Sequence, residues 1–261
     1  MRIRRLVTLM IILLSVLSAS IACIAPWSQR TATGNDESRD RNRAEPLTLD
    51  QLVSGQLKII DLGWSLNDKN PYWPAADYEP FRLKTIATIE KNQPAVDEIE
   101  PAQLFAHGIV IDVTMQAGAD ADYRLTKADI EDWEKANGRI PEGAVVLLST
   151  GWGRHWNNYP RYKNQDATGK MHFPGYSAEA AKFLVEERRA KGLGIDTLSI
   201  DYGLSKDFAV HHIVNAAGRY GLENVAHLDL LPPKGFYVVT APIKIETGSG
   251  GPTRLFAVLK K

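Results

Sequence analysis

The chain has 261 residues, 44% hydrophobic and 24% charged, with 31 basic and 31 acidic side chains. That is the composition of an ordinary globular protein, long enough for one substantial core. A formal net charge of zero argues against a nucleic-acid surface or attraction to an anionic membrane. The one cysteine, Cys23, excludes an intramolecular disulfide and a thiolate metal cluster.

Residues 1–22 read as an export signal. Arg2, Arg4 and Arg5 precede an uncharged apolar run from Leu6 to Ile21, and Ser20 and Ala22 are small residues before a cut. The run falls short of the about 20 apolar residues that a membrane-spanning helix needs. Cys23 follows Ser20-Ile21-Ala22 directly, which resembles a bacterial lipoprotein box with the cysteine as lipidated N-terminus. Simple secretion with an incidental cysteine is the alternative, and both readings export the protein to the envelope or beyond. Residues 23–46 are polar and charged from Trp27 to Glu45 and read as a tether to a domain over 47–261.

Thr48–Ser54 is a short helix candidate, with Thr48 as N-cap, Gln51 at capping-box spacing and Gly55 as stop. Lys58–Leu62 is a strand, followed by a loop that Pro71 and Pro74 stiffen around Tyr72 and Trp73. Phe81–Ile89 and Gly108–Val113 are further strands. Thr126–Asn137 predicts a helix with Thr126 as N-cap, Ile130 and Trp133 on one face and Gly138 as stop. Ala144–Thr150 is an apolar strand, and Gly151–Gly175 is a long aromatic loop whose His155 and His172 read as packing residues. Ser177–Lys191 predicts an amphipathic helix capped by Ser177 and ended by Gly192, with basic residues in its last turn. Phe236–Ala241 and Leu255–Leu259 close the chain as strands. Between them, Thr247–Gly251 reads either as an anion-binding nest of amides or as a flexible connection; it lacks a P-loop lysine.

Gly194–Leu231 carries the chemistry. A β-type run leads to a loop with Asp201, Ser205 and Asp207, then His211, and twelve positions later Glu223. A straight helix would separate the last two by about 18 Å, so they meet only if the chain folds back, where Gly218 and Gly221 supply freedom. An imidazole and a carboxylate suit zinc or manganese; a core histidine and a strand-end glutamate are the plain alternative.

This stretch, with Asp61–Pro74, Gly138–Trp152 and Ala241–Pro252, resembles the metal-dependent cyclase/kynurenine formamidase family, which includes isatin hydrolases. The resemblance runs in family order from about Leu52 onward. It implies an α/β fold of the swivelling β/α/β type, a mixed sheet with packed helices. It implies metal-dependent hydrolysis of N-formyl or cyclic aromatic amides, with zinc or manganese on His211 and Glu223, Trp73 beside the substrate pocket, and a homodimer. The family's His-x-Gly-Thr-His-x-Asp-x-Pro-x-His segment, which supplies the other ligands and the proton-shuttling histidine, is absent, as if deleted near residues 92–94. No catalytic residue is therefore assigned, and His107 is the one histidine near the gap. The absence predicts negligible N-formylkynurenine hydrolysis. The alternative functions are an inactive envelope ligand-binding relative and a structural protein without a pocket.

Overall fold

In the computed structural model, residues 48–56 and 94–259 are described. The export segment, Cys23, the tether, the strands expected at Lys58–Leu62 and Phe81–Ile89, and Trp73 lie outside them.

The apolar run at Gly108 forms the middle of β1 (Phe105–Asp112), which pairs in parallel with β3 (Val145–Ser149), Gly108 opposite Val145. β5 (Gly192–Ile195) pairs in parallel with β3, and β6 (Tyr220–Leu222) with β5. On the other side β7 (Phe236–Pro242) runs antiparallel to β1, and β8 (Thr253–Val258) antiparallel to β7. The order is β6-β5-β3-β1-β7-β8, with β6 at an edge. A separate two-strand ladder joins β2 (Arg124–Leu125) to β4 (Gly175–Tyr176).

β3 is buried at every position, as a central parallel strand covered on both faces should be. Alternate side chains then serve two cores. Ile109, Ile111, Val146, Leu148, Leu193 and Ile195 face one, with helical residues such as Ile130 and Val214. Val110, Val145, Leu147, Leu222, Phe236 and Val238 face the other.

The helices follow their caps. α1 (Leu49–Val53) has the Thr48–Gln51 capping box, and Tyr237 donates its hydroxyl to Asp50 at 2.6 Å. α2 (Thr114–Ala119) follows β1. α3 (Lys127–Asn137) has Thr126 and Asp129 as a capping box, buries Ile130, and ends at Gly138 with φ 85°. Trp133 on the same face donates its indole N–H to the Val110 carbonyl at 2.8 Å. α4 (Tyr159–Lys163) interrupts the aromatic loop.

The helix expected over Ser177–Lys191 is shorter than the pattern implied. α5 (Ala178–Lys182) keeps its Ser177 cap, but Phe183–Glu187 widens into a π-type turn that buries Phe183, Leu184 and Val185 in succession. Arg188 then turns onto Glu134 as a two-pronged pair, at 2.7 and 2.8 Å. Arg189 takes the left-handed conformation, φ 52°, and the Ala190 amide closes back on Leu184. The stop is therefore Arg189, and Gly192 begins β5 instead. A Cβ at Gly192 would meet the Tyr220 ring at 2.4 Å.

Candidate functional site

Past β5 the chain passes through Asp196 and Thr197 and reaches Asp201. The Tyr176 amide holds this path by donating to the Ile200 carbonyl at 2.9 Å. Gly175 permits the approach, since a Cβ there would lie 2.3 Å from the Tyr202 nitrogen. Asp201 thereby arrives, buried, under the start of α6 (Ala209–Ala216).

Asp201 caps that helix from outside it. Its Oδ1 accepts the Val210 amide at 2.9 Å, and Oδ2 accepts the His211 amide at 3.2 Å. These are donors without intrahelical partners, at the end of the helix that favours negative charge. The same Oδ2 lies 2.6 Å from His211 Nδ1. One carboxylate thus fixes both the helix and the imidazole. Phe208, which precedes the helix at φ 48°, turns its ring edge-on to His211.

α6 ends at Ala216, and Gly218, at φ 64°, makes the reversal. Gly221 lies within β6, where a Cβ would come to 3.0 Å from Ile200, so it serves close packing rather than the turn. Glu223 follows β6. Its Oε1 stands 3.2 Å from His211 Nε2 and accepts the Ile200 amide at 3.2 Å. The fold-back that the two residues need is present.

The charges follow from these contacts. The Asp201 hydrogen bond, then that of Glu223, raises His211 from 6.5 to about 9 against the opposing effect of burial. Burial pushes Asp201 up, but His211 and the two amides together outweigh it and hold the carboxyl below its usual range. Without a metal this is an imidazolium between two carboxylates.

The donor set also suits a divalent cation. Two ligands of a tetrahedral zinc stand about 3.4 Å apart, close to the Nε2–Oε1 separation. Asp201 sits on Nδ1, where it orients the ring and leaves Nε2 for an ion. Among the described residues no group of three or more histidine, cysteine or acidic side chains forms a ligand cluster. His211 and Glu223 thus fit two positions of such a site.

A cavity of about 690 Å³ opens beside them, with Phe208, Arg219, Tyr220 and Gly251 also on its walls. His107 is not among its lining residues; it lies in β1 with its ring tilted against Tyr237, 5.1 Å between centroids. His155 packs edge-on to Trp152, and His172 bridges Asp122 and Asp166 at 2.9 and 3.4 Å. The Thr247–Gly251 run divides. The Thr247 amide is taken by Asp97 at 3.0 Å and the Gly248 amide by the Ile245 carbonyl at 3.0 Å, while Ser249, Gly250 and Gly251 border the cavity.

A second polar knot lies behind the site. Asp196 Oδ1 accepts the Thr150 hydroxyl at 2.5 Å and its amide at 3.1 Å. The Tyr162 hydroxyl shares its one proton between the Asp196 carbonyl and Asn224 Oδ1, both at 2.9 Å, and Trp152 donates to the Tyr162 carbonyl at 2.7 Å. Asn224 adjoins Glu223, so the knot fixes the backbone that presents it. Sequence reasoning noted Asp201 only as a loop residue and passed over this network and Arg219. A cap ten residues ahead of His211 has no local spacing rule.

The sequence matches the family described as "Putative cyclase" over residues 60–202, more than half of its length. The chain belongs to the cyclase family. Among its relatives is the isatin hydrolase of Roseibium aggregatum, 32% identical over 169 residues, 63% of this chain and 64% of that one. The match thus spans less than two thirds of that relative. A solved isatin hydrolase bound to the product analogue thioisatinate is 32% identical, with a TM-score of 0.62 over 64% of each chain. Isatin hydrolase A from Ralstonia solanacearum is 28% identical, with a TM-score of 0.64 over 84% of this chain and all of that one. The mixed sheet with packed helices is therefore that of its isatin hydrolase relatives. His211 and Glu223 lie beyond the matched family stretch.

Proposed function

We propose that this cyclase-family chain is an exported, metal-dependent amide hydrolase for a small aromatic substrate, an N-formyl or cyclic amide, with slow turnover. The observation that carries this is the His211 Nε2–Glu223 Oε1 approach of 3.2 Å beside the cavity, with Asp201 behind the ring. The resident metal, zinc or manganese, would supply an activated water and polarise the amide carbonyl. The chain's own residues do the rest. Asp201 holds the Nδ1 proton, so that Nε2 carries the lone pair once the imidazolium loses its other proton. Ile200 and the Asn224 anchor hold Glu223 in place, and Phe208 and Tyr220 on the cavity wall offer rings against which an aromatic ligand can stack.

Slow turnover, negligible on N-formylkynurenine, follows from the ligand count among the described residues. A catalytic zinc has three protein ligands and a water, and proton transfer to the leaving amine needs a base within hydrogen-bond reach. The second reading, a ligand-binding relative without turnover, is favoured by the lack of a third ligand among the described residues. Isatin and N-formylkynurenine offered with manganese or zinc separate the two. Slow hydrolysis that disappears in His211→Ala supports the hydrolase. Metal binding without hydrolysis leaves the binding protein, and neither ends the metal reading.

Export and anchoring through Cys23, and homodimer formation, belong to the same proposal. A Cys23→Ser variant should leave the membrane fraction, and one that stays membrane-bound after signal cleavage contradicts the anchor.

A further inference from the structure

The same cavity carries a cation that the metal reading does not use. Arg219 follows the reversal at Gly218 and lines the cavity with Tyr220, Glu223 and His211. Its Nε is fully buried without a hydrogen-bond partner, and among the described residues no carboxylate pairs with its guanidinium. Burying such a donor is costly unless something accepts from it.

The surroundings are positive rather than compensating. Lys191 is pushed down by burial and then by Arg219, and its own ammonium is spent on the Ala102 and Phe105 carbonyls at 2.9 and 3.0 Å. Glu223 is engaged by His211 rather than by Arg219. Beside the Tyr220 phenol, the buried Thr240 hydroxyl also makes no hydrogen bond of good geometry and lines the cavity. Gly221, between Arg219 and Glu223, puts no side chain in the way. Arg219 and Glu223 flank the three-residue β6, so at the rise of a strand their Cα atoms lie about 13 Å apart.

We propose that Arg219 is an anion-recognition residue, taking a carboxylate of an aromatic ligand while the His211–Glu223 end faces the rest of the molecule. A guanidinium offers planar, parallel N–H donors that match a carboxylate, which a lysine cannot reproduce. The proposal needs neither the metal nor turnover.

Benzoate and its neutral counterpart benzamide test it by calorimetric titration of the full chain in chelator. The unmodified chain should prefer benzoate by at least about tenfold, with an affinity that falls as salt is added. Arg219→Gln should weaken benzoate by at least about tenfold and leave benzamide within about twofold, and Arg219→Lys should fall between. No preference for benzoate, an unchanged benzoate affinity in Arg219→Gln, or equal losses for both ligands would overturn it. Because the titration is run in chelator and reads the benzoate-to-benzamide ratio at Arg219 alone, failure of the metal reading remains distinguishable from failure of this one.

Discussion

Asp196 and Asp201 leave the same strand end five residues apart, and both are almost wholly buried, at 5% and 3% exposure. Their acidities move in opposite directions. Burial raises Asp196, and its neutral partners, the Thr150 hydroxyl and amides, offset only part of that. Burial also pushes Asp201 up, but it faces an imidazole and the start of a helix, and it ends below the usual range. Similar solvent exposure therefore does not imply equal chemistry. Asp196 ties strands together, whereas Asp201 stores a negative charge beside a histidine that opens on a cavity.

The largest test of that contrast is truncation. Asp201→Ala strands the His211 ring N–H and two amides together and should cost about 3 kcal/mol in urea unfolding. Asp196→Asn keeps an acceptor for Thr150 and should cost about 1 kcal/mol. Equal losses would erase the distinction.

The pH dependence sharpens it. His211 is raised from 6.5 to about 9, so its contribution is complete below about 6.5 and is lost as pH climbs through about 9. Asp201 is lowered from 3.8, so its contribution is present above that value and is lost as pH falls through its folded value. The advantage of the metal-free protein over Asp201→Asn should therefore be greatest between about pH 4 and 6.5. Asp196→Asn should show no such alkaline decline. A flat difference curve from pH 5 to 10 would contradict the charged pair.

A smaller effect reports on the link between the two knots. Tyr162→Phe removes a hydroxyl shared by the Asp196 carbonyl and Asn224 and should lower stability by about 1 kcal/mol. Because Asn224 adjoins Glu223, it should also weaken metal binding while leaving benzoate binding unchanged. A stability loss with unaltered metal affinity would confine the knot to a structural role.

Much of this fold was legible where local rules suffice. The caps at Thr48 and Thr126 and the buried run at Ala144–Thr150 follow from short-range pattern, whereas the meeting of His211 with Glu223 was expected from the family resemblance. The end of α5 was not legible: its widened turn and left-handed Arg189 flank an Arg188–Glu134 pair whose partners lie 54 residues apart. The same holds at the site. Asp201 acts across ten residues and Tyr162 across sixty-two, and neither spacing carries a signature. Arg219 carries no signature in the sequence, and its place is evident only with the cavity around it.

The most direct test of the account is manganese titration of the purified chain, beside His211→Ala and Glu223→Gln. The unmodified protein should bind one ion weakly, more tightly as pH rises and the metal no longer competes with the His211 proton, and both variants should lose that binding. Binding that is indifferent to both substitutions, or no binding at all at alkaline pH, would contradict a metal role for this pair.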